Sequence, residues 1–106
     1  MTTQPKPPGW LVVTTGPHAG ETVTLGGPTI LGRTGLLAKE RGATRMQALV
    51  EFLPDSWQVL DCNGIGTRWN GTELSRSAQR LRHNDVITIG TSQIVFRETD
   101  PADDDG

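Results

Sequence analysis

The stretch NDVITIGTSQIVFRE, residues 84–98, decides the fold class because it holds two short runs with the character of β-strands. β-Branched and aromatic residues recur in VITIG at 86–90 and in SQIVFRE at 92–98, where apolar and polar residues alternate. Parallel strands need a crossover of a dozen residues or more, and one residue separates these runs. Asn84 and Asp85 add a turn signal just before them. The stretch therefore predicts an antiparallel strand pair.

The same character recurs on the N-terminal side of this pair, in runs that are mostly separated by short turns. These runs are WLVVT at 10–14, ETVTL at 21–25, TILG at 29–32, QALVEF at 47–52, SWQVLD at 56–61 and TRWN at 67–70. Asn70-Gly71 is a typical two-residue hairpin signal, and GPHAG at 16–20 offers two glycines for a tight turn. A composition of 13 glycines, 7 prolines and 5% aromatic residues also favours strands over helices. The sequence predicts an all-β fold, an antiparallel β-sandwich.

The length of 106 residues is enough for one domain with its own core and too short for two. We expect the folded unit at residues 10–98, with a disordered arm at 1–9 and a disordered acidic tail at 99–106, because both ends contain few apolar residues. The single cysteine, Cys62, excludes an internal disulfide. No basic-then-apolar leader or apolar run of membrane length occurs. These features predict a cytoplasmic protein with no membrane partner.

A cluster of cations lies in and around the one long segment without strand character, Thr34 to Ala43. The stretch LGRTGLLAKERGATRMQ, residues 31–47, carries four cations against one carboxylate. A loop of this length in a compact domain is more often functional than idle. Arginine suits an anion site because its planar guanidinium can donate two hydrogen bonds to a phosphate and stays charged. The segment predicts an anion site at one end of the sandwich, and a solvated charged face is the simpler alternative.

Several motifs that would indicate an enzyme are incomplete. GPTILGRT, residues 27–34, approaches a nucleotide-binding phosphate loop, but its middle residues look like a strand and Arg33 replaces the lysine. His18 and His83 are isolated, and with one cysteine the sequence has no metal-ligand cluster. No spacing of serine, histidine and aspartate predicts a catalytic arrangement. We expect a protein that is not an enzyme and has no cofactor or metal.

Nucleic acid is a further possible partner, because four of the arginines that follow the cationic loop lie between residues 68 and 82. They are Arg68, Arg76, Arg80 and Arg82. The acidic pI of about 5.6 and the lack of clustered aromatic residues argue against this partner. We therefore expect no nucleic-acid binding.

Six motifs follow one another along residues 10–98. They are GPHAG at 16–20, ILGR at 30–33, TRMQ at 44–47, WQVLD at 57–61, GTRWNG at 66–71, and LRHNDVITIG at 81–90 followed by IVF. In this order they resemble the pattern of the forkhead-associated (FHA) domain family. The resemblance implies a β-sandwich of about eleven strands that binds phosphothreonine peptides.

Three site residues follow from this resemblance. Arg33 of ILGR matches the family arginine that supports the binding loops and contacts the peptide or its phosphate. Thr44 of TRMQ matches the serine whose hydroxyl donates to the phosphate, and threonine keeps that hydroxyl. Arg45 matches the arginine of the same motif. The alternative for Arg33 is that it braces a buried loop.

The remaining site residues follow from the neighbouring positions. Gln47 stands where the family has a histidine that braces two loops, and a glutamine can make similar hydrogen bonds. Lys39 and Arg41 lie in the loop where family members place an additional cation that contacts the phosphate. DCNGIGT, residues 61–67, is one residue shorter than the family pattern, so Ile65 or a gap falls on the asparagine that grips the peptide backbone. Asn63 is the candidate to replace it.

Two functions remain open at this point. The first is a phosphothreonine-dependent peptide-binding or protein-binding module in serine/threonine kinase signalling, which the cationic loop favours. The second is a degenerate FHA-like domain that mediates phosphate-independent protein interaction or oligomerisation, which the missing asparagine favours.

Overall fold

Ten strands form two antiparallel sheets in the computed structural model, which describes residues 7–103. The six-stranded sheet has the order β2-β1-β10-β9-β6-β7 and the four-stranded sheet has the order β3-β4-β5-β8. The strands are β1 (Trp10–Thr15), β2 (Thr22–Thr24), β3 (Thr29–Leu31), β4 (Ala48–Phe52), β5 (Trp57–Asp61), β6 (Thr67–Trp69), β7 (Thr72–Glu73), β8 (Ala78–Arg80), β9 (Val86–Ile89) and β10 (Ser92–Arg97).

The predicted all-β sandwich is confirmed, with ten strands in place of about eleven. All eight strands that alternation predicted are present within one or two residues of their expected bounds. The hairpin at Asn70-Gly71 joins β6 to β7 with φ angles of 47° and 86°, the left-handed region that such a turn requires. The strand β8 was not predicted, because its sequence Ala78–Arg80 is short and lacks β-branched residues.

The core lies between the two sheets and is built from alternate positions of the long strands. In β10, for example, Ser92, Ile94 and Phe96 are buried while Gln93 is exposed. The largest fully buried apolar side chains are Phe96, Leu11, Leu31, Leu37, Ile87, Ile89, Ile94, Val13, Val50 and Val59. Leu37 belongs to the long cationic loop and not to a strand, so this loop is packed onto the core.

The antiparallel topology gives the sandwich two different ends. One end, called here the loop end, carries the segments 16–21, 32–47, 62–66, 74–77 and 90–91. The other end, called here the terminal end, carries the segments 25–28, 53–56, 70–71 and 81–85. The strand β1 begins and the strand β10 ends at the terminal end, where Trp10 pairs with Arg97.

The described parts of the predicted arm and tail lie at the terminal end. The indole Nε1 of Trp57 donates to the carbonyl oxygen of Pro7 at 3.0 Å, and Gly9 is buried. A single 3-10 turn spans Pro101–Asp103, and no helix in the described part of the chain is long and apolar enough to cross a membrane. The disorder expected for the outermost residues, 1–6 and 104–106, falls outside the described residues.

Candidate functional site

The connection between β3 and β4 brings its two halves together at the loop end. The amide of Arg33 donates to the carbonyl oxygen of Thr44 at 2.9 Å, and Thr34 donates to the carbonyl oxygen of Arg45 through its amide and its hydroxyl at 3.2 and 2.7 Å. A Cβ on Gly32 would lie 2.3 Å from the same Arg45 oxygen, so only glycine allows this approach. The backbone of Arg33 therefore lies beside the backbones of Thr44 and Arg45.

Gln47 connects this loop to the segment 62–66. Its side chain is 1% exposed, and its Oε1 accepts hydrogen bonds from the amide and hydroxyl of Thr44 at 3.2 and 3.3 Å. Its Nε2 donates to the carbonyl oxygen of Ile65 at 2.7 Å and to Oγ1 of Thr67 at 2.9 Å. Every hydrogen-bonding group of the buried amide thus has a partner, as a buried polar side chain requires. Glutamine holds the two loops together at the position where the family has histidine.

The carboxylate of Asp61 organises the second loop. It is 2% exposed and accepts four hydrogen bonds, from the amides of Asn63, Gly64 and Arg76 and from the hydroxyl of Thr67. Burial alone would raise the pKa of this carboxyl, but the hydrogen bonds outweigh it and the pKa is lowered from its ordinary value. The charged form of Asp61 therefore holds the segment 62–66 in place.

A second buried carboxylate, Glu40, fastens the cationic loop to the turn between β9 and β10. It is 3% exposed and accepts from the hydroxyls of Ser92 and Thr91 at 2.6 and 2.8 Å, and from the amides of Thr91 and Gly42 at 3.2 and 2.8 Å. Burial would raise its pKa, yet these hydrogen bonds lower the pKa from 4.5 to about 2. Glu40 is therefore ionised at any ordinary pH. Its contacts with Gly42, Thr91 and Ser92 hold the loop between Lys39 and Arg41 in place.

His18 makes a further contact with the same loop. The ring is buried, its Nε2 accepts the amide of Lys39 at 2.9 Å, and its Nδ1 lies 2.6 Å from Oε2 of Glu21. Because Nε2 accepts a hydrogen bond, the proton of the neutral ring belongs on Nδ1. The histidine that appeared isolated in the sequence positions the loop.

The cations of the loop end point into solvent. Arg33, Lys39, Arg41 and Arg45 are all exposed, and none of them forms a salt bridge with an acid in the described part of the chain. Lys39 and Arg41 line a shallow depression of about 230 Å³ together with Pro17 and Thr91. Arg33, Thr44 and Arg45 do not line this depression. The four exposed cations therefore do not all line one depression.

The segment 62–66 carries one side-chain amide and one exposed apolar side chain. Asn63 donates through Nδ2 to the carbonyl oxygen of Ile65 at 3.0 Å, so its amide is used within the loop. Ile65 is 71% exposed and Met46 is 47% exposed, which places two apolar side chains at this end. Arg76, which no motif marked, lies against the same segment: a Cβ on Gly64 would be 3.0 Å from its Nε.

The arginines considered for nucleic acid do not share one surface. Arg76 lies at the loop end, whereas Arg80 and Arg82 lie at the terminal end. Arg68 pairs across β6 and β7 with Glu73, at 3.8 Å between Nε and Oε2. Within residues 7–103, no three histidine, cysteine, aspartate or glutamate side chains are grouped so that they could hold a metal ion.

The family model described as FHA domain matches residues 30–90, which include the cationic loop, the segment 62–66 and Arg76. No match was found among curated proteins. The sequence motifs and the family model therefore point to the same part of the chain.

Solved structures share the fold over most of the chain. The FHA domain of an Arabidopsis thaliana hypothetical protein is 22% identical, with 87% of this chain and 86% of that chain covered and a TM-score of 0.75. A structure from a study of phosphothreonine-dependent FHA domain interactions is 25% identical, with coverages of 89% and 98% and a TM-score of 0.71. The FHA domain of MEK1 in complex with a phosphothreonine peptide of HOP1 is 25% identical, with coverages of 90% and 99% and a TM-score of 0.68.

Proposed function

Because the chain belongs to the FHA domain family, whose members are binding modules and not enzymes, we propose that it binds phosphothreonine-containing proteins or peptides in serine/threonine kinase signalling. Two similar domains support this proposal through their own ligands. One comes from a study of phosphothreonine-dependent interactions, and the other was solved with a phosphothreonine peptide. We place this activity in the cytoplasm, with a phosphorylated protein as the partner.

The observation that carries the proposal is the convergence of Arg33, Thr44 and Arg45 on one fixed loop. Hydrogen bonds to the backbone oxygens of Thr44 and Arg45 join the two halves of the loop. The side chain of Gln47 accepts the amide of Thr44 and holds that half in place. The two guanidinium groups are exposed and have no acidic partner in residues 7–103. A phosphate group is the ligand that such a site suits best, because it brings nearly two negative charges and three acceptor oxygens.

Thr44 can contribute its hydroxyl at little cost. The hydroxyl donates to Oε1 of Gln47 at 3.3 Å, which is long for a hydrogen bond between oxygens. Turning this hydroxyl to a phosphate oxygen exchanges a weak contact for a charge-assisted one. Oε1 of Gln47 keeps the amide of Thr44 as its donor. Lys39 and Arg41 add positive potential beside the site, and Asn63 keeps a side-chain oxygen that can accept from a peptide amide.

The test is a titration of a phosphothreonine peptide library against its unphosphorylated twin. Binding should require the phosphate, and Arg33→Ala should weaken it by about 2 kcal/mol or more, roughly 30-fold, because a charge-assisted contact is lost. Arg80→Ala is the matched control, since Arg80 is an exposed arginine at the terminal end. Thr44→Val keeps the side-chain shape and removes the donor, so it should weaken phosphopeptide binding alone.

The phosphate-independent alternative has one observation in its favour. Ile65 and Met46 are exposed apolar side chains at the loop end. The family pattern instead has an asparagine there that hydrogen-bonds the peptide backbone. If this alternative is right, the twin peptides bind equally and Arg33→Ala changes nothing. Ile65→Lys would then reduce binding of the partner or self-association measured by sedimentation. Unfolding of Arg33→Ala would instead identify Arg33 as a structural brace.

A further inference from the structure

Arg76 is held at the edge of the segment 62–66 by the carboxylate that holds the segment itself. Its amide donates to Oδ2 of Asp61 at 2.7 Å, and the amide of Gly64 donates to the same oxygen at 2.9 Å. Ser75 and Arg76 have φ angles of 50° and 69°, a region that residues other than glycine seldom adopt. The buried carboxylate of Asp61 thus holds the backbone of Arg76 beside that of Gly64, although the two residues are distant in sequence.

The Arg76 side chain lies across the backbone of Gly64. A Cβ at Gly64 would be 3.0 Å from Nε and 3.6 Å from Nη2 of Arg76, and Gly64 has a φ of 95°. Any larger residue at position 64 would push the guanidinium away. The absence of a side chain therefore allows the cation to rest on the loop that takes part in the proposed peptide site.

The positive charge of Arg76 has no counterion in the part of the chain that the structure describes. The two acids of the neighbouring segments contact other groups and not the guanidinium of Arg76. Asp61 accepts four hydrogen bonds from three amides and one hydroxyl. Glu73 accepts the amide of Gly66 at 2.8 Å and pairs with Arg68. The adjacent Ile65 side chain is 71% exposed. The segment thus offers a cation beside an apolar group, where the family pattern has an asparagine.

We infer that Arg76 is a specificity-determining residue that binds a carboxylate side chain of the peptide, close to the phosphothreonine. This inference rests on the proposed function, and it assigns to the segment 62–66 a preference that the motif residues do not encode. Arg33, Thr44 and Arg45 would hold the phosphate, and Arg76 would hold the acidic residue at the segment 62–66, which Gln47 joins to Thr44.

The test compares phosphothreonine peptides that carry aspartate or glutamate, alanine, or lysine at the flanking positions. The protein should bind the acidic peptides about fivefold more tightly than the alanine peptides at low salt, as expected for one exposed ion pair. Arg76→Gln should reduce this ratio to less than about twofold. Arg80→Gln is the matched control and should keep the full ratio.

The remaining outcomes separate this inference from the proposed function. An absent acidic preference, or one that survives Arg76→Gln, overturns the inference alone. A preference that disappears only in the double variant of Lys39→Gln and Arg41→Gln assigns the acidic contact to the depression near Pro17 and also overturns it. No phosphate-dependent binding at all overturns the proposed function and this inference with it. Arg76→Asn, which suits the left-handed backbone, repeats the test if Arg76→Gln unfolds.

Discussion

The two ends of the sandwich use carboxylates in different ways. At the loop end, Glu40 and Asp61 are buried, and each accepts four hydrogen bonds from neighbouring segments. At the terminal end, Asp85 is only partly buried and accepts from the indole of Trp69, the amide side chain of Asn70 and the backbone of Arg82. The loop end thus buries Glu40 and Asp61, and the terminal end keeps Asp85 close to solvent.

The two ends also differ in whether their exposed cations lie beside an acid. At the terminal end, the pKa of Asp85 is lowered, against the effect of burial, by its hydrogen bonds and by the charge of Arg82, so acid and base lie side by side. At the loop end, Glu21, Glu40, Asp61 and Glu73 all accept hydrogen bonds within the protein. Arg33, Lys39, Arg41 and Arg45 form no salt bridge with these acids or with any other acid in residues 7–103.

The largest expected effect comes from removing the Glu40 contact. Glu40→Ala leaves the buried hydroxyl of Ser92 and the amide of Gly42 without their acceptor, so we expect a loss of about 3 kcal/mol in the free energy of unfolding. Asp85→Ala at the terminal end should cost about 1 kcal/mol, because water can reach the donors it leaves. Urea denaturation measures both. Equal losses would show that the two ends do not differ in this way.

The same contrast predicts a dependence on pH. The folded-state pKa of Glu40 is about 2, below the ordinary 4.5, so its contribution is complete above about pH 4.5 and is lost as the pH falls toward 2. We expect this contribution to be on the order of 2 kcal/mol. The difference in unfolding free energy between the unchanged protein and Glu40→Gln should therefore shrink between pH 6 and pH 2.5. A difference that stays constant over this range would contradict the assignment.

A smaller effect is expected at Gly32, where the two halves of the cationic loop meet. Gly32→Ala places a Cβ 2.3 Å from a backbone oxygen, so the halves must separate at a cost of about 1–2 kcal/mol. Phosphopeptide binding should fall together with stability, because Arg33 moves away from Thr44. Gly27→Ala at the terminal end meets no atom within 4 Å and is the control. Thermal unfolding and peptide titration on both variants test this pairing.

The smallest effect is expected at Ile65. Ile65→Asn restores the amide that the family has near this position, and the exposed site tolerates the change. We expect phosphopeptide affinity to rise by about threefold, with unfolding free energy unchanged within about 0.5 kcal/mol. Isothermal calorimetry against a phosphothreonine peptide measures the gain. Weaker binding would show that the apolar side chain itself contacts the ligand.

Local patterns in the sequence predicted most of the fold. Alternation along SQIVFRE and the Asn70-Gly71 signal depend only on neighbouring residues, so β10 and the β6-β7 hairpin followed directly from them. The segment Thr34 to Ala43 was correctly predicted to lack strands. The strand β8 was missed because pairing with β5, and not its own composition, makes it a strand.

The supports of the site were harder to predict because they act over long sequence separations. Glu40 contacts Thr91 and Ser92, about fifty positions away, and nothing near Glu40 distinguishes it from a solvated acid. His18 reaches the amide of Lys39 in the same way. Arg76 was missed because its place depends on Asp61 and on the missing side chain of Gly64. The residues that position these loops therefore belong to no local motif.

The placement of both described chain ends at the terminal end sets how the module can be attached to anything else. β1 starts and β10 stops on the side away from the cations, about 20 Å from them given a six-residue strand. A dye, a surface or a second protein joined beyond either chain end therefore leaves the loop end accessible to solvent. The length of such a connector would govern how far the domain extends and its local concentration, while access to the loop end would stay the same.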